Sequence, residues 1–245
     1  TLFVVHDGTV NYGYEYNYDY DYNPSSSIKR DKGIYRSDMK LTEDINEMDT
    51  VINFDAGKLT IDSVREDENL FEARLRYNYG RPSFYYKKSE NKKSNLTIKQ
   101  PEKESNWLNL SNPNDWKVYY SGKIPINIEL NAGACDCNFN LEELKVKQLI
   151  INTGAGKIEL DLNHYTHYLT LNSAAAKIDI NIPDGMGVKI DTDSIVSKNN
   201  FREKGLIKNE DNDYQTVNYE QVEDRIDIEV NTPASKIEIN FYRLD

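Results

Sequence analysis

The feature that most constrains this chain is a nine-residue segment that recurs at a fixed phase. Its copies share an opening asparagine and an alanine three positions later. The three central copies start 21 and 20 residues apart, at Asn131, Asn152 and Asn172. A period of this size is typical of proteins built from stacked coils. Five copies align without gaps, over residues 53–61, 131–139, 152–160, 172–180 and 231–239.

Alternating apolar residues flank the copies. Leu149 and Ile151 occupy alternate positions before the third copy, and Ile158, Leu160 and Leu162 alternate with acidic residues after its corner. Strict alternation is the signature of a β-strand with one buried face. The repeating unit is therefore a strand, a corner of small residues and a second strand.

The composition of the corner predicts a tight bend. Asparagine suits its start, because the side-chain amide can bond the local backbone and the residue tolerates left-handed φ. Alanine at the fourth position suggests that the chain turns inward where no large side chain fits. We therefore expect Ala155 and Ala175 at tight corners, and expect Ala175→Leu to cost about 1 to 3 kcal/mol by overpacking.

These patterns predict an all-β solenoid with coils of about 20 residues, for which a right-handed parallel β-helix is the simplest form. Hairpins in a sandwich would also alternate, but would not keep one corner motif at a fixed phase. A degenerate copy begins at Asp191, and the next clear copy starts 40 residues later, at Asn231. We expect one distorted or interrupted coil there. Polar stretches at 84–106 and 198–225 predict solvated hairpin excursions.

The first 50 residues differ from the rest. Residues 12–22 read YGYEYNYDYDY, with tyrosine at every second position, and a break rich in serine follows. An edge strand or tail would carry one aromatic face, and an unstructured Tyr/Asp segment is the alternative. The aromatic stripe could also contact a carbohydrate. The sequence thus divides into an arm and linker at 1–50 and a solenoid at 51–245.

Charge excludes some classes of partner. The net charge of −11 would repel a phosphate backbone, so we expect no nucleic-acid partner and no attraction to an anionic membrane. No run approaches the roughly 20 apolar residues that span a bilayer. The chain begins at Thr1 without an initiator methionine, and we interpret it as a trimmed or mature product from which an anchor has been removed.

Few residues point to chemistry. Cys135 and Cys137 would share one strand face, a spacing that we interpret as a poor geometry for a mutual disulfide and as two small inward-facing residues. We expect His164, His167 and the acidic loop at 211–213 to be surface residues. The sequence therefore predicts no metal, no cofactor and no catalytic residues, because nucleophile elbows and phosphate-binding loops are also absent.

One surface repeats in an ordered way. The sixth position of the motif carries lysine in four of the five copies, and acidic residues follow two positions later in three of them. Both rows should face solvent. A solvated sheet face is one interpretation, and a binding face is the other, with Lys157, Lys177 and Lys236 as its candidate residues.

Five segments together form a recognisable pattern: 56–59 (AGKL), the run 116–130 into 132–134 (AGA), 154–156 (GAG), 182–185 (IPDG) and 236–239 (KIEI). In these segments the chain from about residue 50 to 245 resembles the bacterial toast-rack domain, a right-handed β-helix module. Ala174 and Pro233 stand where that family usually has glycine. The resemblance implies a membrane-anchored location at the cell envelope and a link to envelope-stress responses.

Three functional hypotheses follow. The first is a non-enzymatic structural or interaction module with a protein partner at the envelope. The second is a surface module that binds carbohydrate or mediates adhesion. The third is a polysaccharide-active enzyme, because a ladder of carboxylates on a β-helix can offer paired acids.

Overall fold

We describe a computed structural model of the chain. It describes residues 33–65, 68–78, 80–89, 91–101, 114–192, 198–211 and 213–243, and the backbone of three short strands nearer the N-terminus. The described residues form strands, turns and bends, and no helix. In chain order the strands are β1 (Val5–His6), β2 (Thr9–Val10), β3 (Tyr14–Tyr16), β4 (Gly33–Lys40), β5 (Glu47–Ser63), β6 (Asn69–Tyr77), β7 (Ser83–Lys88), β8 (Lys93–Lys99), β9 (Asn114–Tyr120), β10 (Pro125–Asn140), β11 (Lys145–Asp161), β12 (Tyr168–Pro183), β13 (Gly187–Thr192), β14 (Lys198–Asn199), β15 (Ile207–Lys208), β16 (Tyr214–Gln215), β17 (Arg225–Asn231) and β18 (Lys236–Tyr242).

Strands β10, β11 and β12 stack in parallel and confirm the predicted solenoid. Each runs through the corner without interruption, so one long bent strand replaces the two separate strands expected from the sequence. The repeats stack in register, since Asn152 pairs with Asn131 on one side and with Asn172 on the other. Short turns, such as the one closed by the 3.0 Å bond from Leu144 N to Leu141 O, join successive coils.

The core lies inside the bend. In β11, Leu149 and Ile151 are buried before the corner, and Ile158 and Leu160 are buried after it. In β11 the buried side chains therefore belong to odd-numbered residues before the corner and to even-numbered residues after it. In β11 this change is made at Gly156, which has a φ of 143° and where a Cβ would lie 1.8 Å from the carbonyl oxygen of Cys135. In β10 and β12, Cys135 and Ala176 stand at the same register. Gly57 occupies the same position in β5, with a φ of 140°.

The alanines at the fourth position do not lie at tight places. Ala155 and Ala175 are exposed, so the expectation that both are enclosed by the corner is wrong. The crowded positions are the neighbouring glycines, which approach the backbone of the adjacent coil. A Cβ on Gly154 would lie 2.6 Å from the carbonyl oxygen of Gly133. The small residues are therefore required by contact between coils and not by inward turning of the alanines.

The asparagines bond each other and not their own backbone. Asn131, Asn152, Asn172 and Asn231 each donate from Nδ2 to the Oδ1 of the asparagine on the adjacent coil, at 2.7–3.2 Å. The chain of bonds ends at Asn53, and we call these five residues the asparagine ladder. No asparagine among the described residues has positive φ. The predicted role in local turn geometry is therefore wrong, because the amides connect coils.

The coils do not stack in chain order at either end. Strand β5 lies between β10 on one side and β8 and β9 on the other. At the opposite end, β17 lies between β12 and β13, and β18 lies between β12 and β14. At the first end β5 comes first, and the chain next forms β8 and β9 on its outer side before it crosses to β10 on its inner side. At the second end the chain passes one place further out, to β13 and β14, and then returns to fill the vacant place. The two-period gap before the last copy has this topological cause, in addition to the excursion at 198–225.

Antiparallel strands extend the sheet beyond β9. Strand β6 pairs with β9, β4 pairs with β6, and β3 pairs with the outer edge of β4. Residues 14–16 of the tyrosine-rich segment therefore form an edge strand, and its other residues lie outside the described ones. The sheet includes residues 33–40, on the N-terminal side of residue 51.

Both polar excursions contain hairpins in their described parts. Strands β7 and β8 pair antiparallel, as do β15 and β16. Asp211 is exposed, but Asp213 is buried and lies 3.0 Å from Lys189 Nζ. The expectation of a surface position is therefore wrong for Asp213, which holds the excursion against β13. This hydrogen-bonded carboxylate raises the pKa of Lys189.

Cys135 and Cys137 face inward, as predicted, but they form a disulfide. The expectation of an unsuitable geometry is wrong. Alternate Cα atoms in a regular strand lie about 6.6 Å apart, whereas the corner shortens this distance to 5.4 Å. That value falls within the usual range for disulfides.

The glycine of the corner can be tested by stability. We expect Gly156→Ala to lower the free energy of unfolding by about 3 kcal/mol or more, because strain at positive φ adds to a collision with the adjacent coil. Gly205→Ala is the matched control, since Gly205 also has positive φ but no atom lies within 4 Å of a built Cβ. The control should lose about 1 kcal/mol in chemical denaturation. Equal losses would show that the inter-coil approach does not matter.

The exposed alanines, unlike Gly156, should tolerate substitution with little loss of stability. Ala175→Leu should change the free energy of unfolding by less than about 0.5 kcal/mol, as for most surface substitutions. Thermal and denaturant unfolding of this variant against the parent measure the difference. A loss above about 1 kcal/mol would restore the overpacked corner predicted from the sequence.

Candidate functional site

The predicted lysine row lies on the strands that follow the corner. Lys157, Lys177 and Lys236 are in direct register on adjacent coils, and each side chain is about half exposed. Lys198 of β14 continues the row, although its segment does not carry the full motif. Asp136 stands in register between Lys157 and Lys58 and interrupts the row at β10.

Carboxylates balance the charge of the lysine row. Lys157 pairs with Glu159, and Lys236 lies 2.8 Å from Glu238. Lys177 lies 2.7 Å from Asp179, and this hydrogen bond raises the pKa of the lysine. The three ammonium groups therefore present little net positive charge to a partner, since each has a carboxylate two residues away.

A second surface is an open groove that follows the corners of five coils. Its volume is about 660 Å³, and it lies on the asparagine ladder. Small residues such as Ala132, Gly133 and Ala174 make up much of the remaining lining, which leaves the corner open. We call this surface the corner groove. Its full lining is Asn53, Phe54, Asp55, Lys99, Gln100, Asn131, Ala132, Gly133, Asn152, Thr153, Asn172, Ser173, Ala174 and Asn231.

Two buried polar groups in this lining have no hydrogen-bond partner among the described residues. They are Nε2 of Gln100 and Oγ of Ser173, in side chains that are 5% and 6% exposed. Gln100 is otherwise fixed, because its Oε1 accepts bonds from Asp55 N at 3.2 Å and from Asn114 Nδ2 at 3.1 Å. Buried polar groups in proteins normally have partners. Each of the two atoms exposes less than 1 Å², so both lie beneath the surface of the groove.

The groove is nearly neutral in charge. Its lining contains one carboxylate, Asp55, and one ammonium group, Lys99. Glycoside hydrolysis ordinarily requires two carboxyl groups that flank the bond to be cleaved. The lining thus provides hydrogen-bonding groups without the pair of acids that this reaction uses.

The histidines have separate surroundings. Nδ1 of His164 lies 3.1 Å from Asp224 Oδ2, whereas Nδ1 of His167 lies 3.2 Å from the carbonyl oxygen of Arg225. His164 is partly exposed and His167 is exposed. Within the described ranges, no group of three or more His, Cys, Asp or Glu side chains could hold a metal ion. Those same residues form no helix of the length and apolarity needed to cross a membrane.

The repeated asparagine and the small residues after it are a partial sequence signal for the corner groove, but their composition is also typical of a turn. No such signal marks Gln100, because it belongs to the coil of β8, which does not contain the motif. Its position beside Asn53 depends on the pairing of β8 with β5.

Two solved structures are similar to this chain. One, described as a "putative cell adhesion protein" from Clostridium sporogenes, is 24% identical, with a TM-score of 0.72 over 87% of this chain and 100% of the other. The second is a "putative adhesin" from Bacteroides fragilis, 11% identical over 86% and 98% of the two chains. Its TM-score of 0.29 is too low to support an argument. The first similarity supports the fold.

A comparison with curated proteins finds no match. The sequence profile described as "N-terminal domain of toast_rack, DUF2154" matches residues 19–187, which is more than half of the chain. This match agrees with the repeats, the bent parallel strands and the solved structure from Clostridium sporogenes. The chain therefore belongs to the toast-rack N-terminal domain family.

Proposed function

We propose that this chain is a non-enzymatic binding module that acts at the cell envelope by holding an extended ligand in the corner groove. The observation that carries the proposal is the continuity of the groove along the five residues of the asparagine ladder, whose amides are partly exposed. A long regular surface is what solenoid proteins commonly use for binding.

The absence of turnover is part of the proposal. A groove with a single carboxylate suits recognition better than hydrolysis. The adhesive role described for the Clostridium sporogenes protein is consistent with recognition at a surface, and we extend it to this chain as a proposal. Anchoring to a membrane and a part in envelope-stress sensing are narrower proposals, which rest on the family resemblance.

The lysine row is the competing surface. A protein partner at the envelope could meet Lys157, Lys177 and Lys236, as the sequence analysis suggested. The paired carboxylates favour the groove over this row, because each ammonium group already has an anionic neighbour. Exposed ion pairs of this type contribute little to stability, so the row can be changed without unfolding the chain.

A pair of matched variants separates the groove from the rest of the corner. Ala174 lines the groove, whereas the adjacent Ala175 does not, and both are exposed. We expect Ala174→Trp to fill the groove and weaken binding to isolated envelope fragments at least tenfold, equivalent to about 1.4 kcal/mol. Ala175→Trp should bind like the parent in the same co-sedimentation assay.

The triple change of Lys157, Lys177 and Lys236 to Gln completes this experiment. We expect it to keep both its melting temperature and its binding. If binding is lost in the triple variant but kept in Ala174→Trp, the contact lies on the lysine row and the groove proposal is wrong.

A further inference from the structure

We propose that the corner groove binds a neutral, extended, β-linked polysaccharide, with the sugar chain crossing the coils along the asparagine ladder. The proposal rests on the proposed function and names the ligand class of the same site. Its residues are the central rungs Asn152 and Asn172.

The amides of the ladder identify the kind of atom that the ligand must offer. A side-chain amide both donates and accepts hydrogen bonds. Sugar hydroxyls also donate and accept, so a glycan can bond to these amides without bringing charge into the groove.

The central rungs of the ladder have unused hydrogen-bonding capacity. In the ladder, Asn152 and Asn172 each donate one bond and accept one. An amide has two N–H groups and two lone pairs, so half of its capacity remains. Asn131 and Asn231 differ, because each also donates to a glutamate two residues earlier, at 2.9 Å. The free amide groups therefore lie in the middle of the groove.

The spacing of the rungs favours a glycan over a peptide. Neighbouring coils lie about 4.8 Å apart, so the four steps from Asn53 to Asn231 cover about 19 Å. This step is close to the advance per sugar in an extended β-linked chain. An extended peptide advances about 3.3 Å per residue and would lose register within a few rungs. The backbones of these coils are also already paired with each other.

Charge selects among glycans. One carboxylate and one ammonium group in the lining leave the groove neutral, and the whole chain carries −11. Anionic polymers would be repelled by this field. A neutral polymer avoids that cost, and a straight β-linked chain follows a row of equivalent positions better than a coiled α-linked one.

The test is calorimetric titration of the full chain with defined sugars. The probes are β-1,4-linked N-acetylglucosamine oligomers and cello-oligomers from dimer to hexamer, with maltohexaose and hexagalacturonate as α-linked and anionic controls. We expect binding by at least one neutral β-linked series, with affinity rising up to about four sugars, the number of steps in the groove. The controls should bind at least tenfold more weakly.

The outcomes separate the ligand class from the proposed function. If Ala174→Trp loses envelope binding but no neutral β-linked probe binds the parent, the groove functions and the polysaccharide is the wrong ligand. Stronger binding by maltohexaose or hexagalacturonate would also overturn this inference. If the probes bind and Ala174→Trp binds them equally well, the sugar lies elsewhere and the corner assignment is wrong.

Discussion

The in-register pairing of one corner with the next is the constraint on which the rest of the structure depends. A slip of one residue would move every inward side chain to the solvent face. Such a slip would also break the asparagine ladder and place side chains where Gly57 and Gly156 approach a neighbouring backbone. The ladder, the glycines and the core therefore select the same register. Because the amides recur at that register, the same constraint produces the continuous groove.

The swapped coils solve a problem that a strictly sequential solenoid would have at its ends. Unpaired strand edges are sites of unwanted association. At the C-terminal end the chain places the outer coil of β13 and β14 first and then fills the gap with β17 and β18. At the other end β5 comes first, and β8 and β9 then cover its outer side before the chain returns to β10. Antiparallel strands β6, β7 and β16 then cover outer edges. Chain segments distant in sequence thus secure both ends of the stack, which protects the corners that form the groove.

The sequence predicted the features that depend on one coil and its period. The phase of the repeat, the inward residues and the register of Lys157, Lys177 and Lys236 all follow from alternation and spacing. It did not predict contacts that need two coils. The amide bonds of Asn152, the approach of Gly154 to Gly133 and the place of Gln100 beside β5 depend on which coils are neighbours. The Cys135–Cys137 bond depended on a local shortening of the strand at the corner. Motif spacing does not encode it.

The central claim is that the corner amides are the binding surface of this toast-rack domain. Nuclear magnetic resonance of the side-chain amide groups tests it directly, during titration with the N-acetylglucosamine hexamer or the cellohexaose. The account predicts shifts for the amides of Asn152 and Asn172, with the resonances around Lys157, Lys177 and Lys236 unchanged. Chemical-shift changes confined to the lysine row, with the resonances of the corner amides unchanged at saturating sugar, would contradict it.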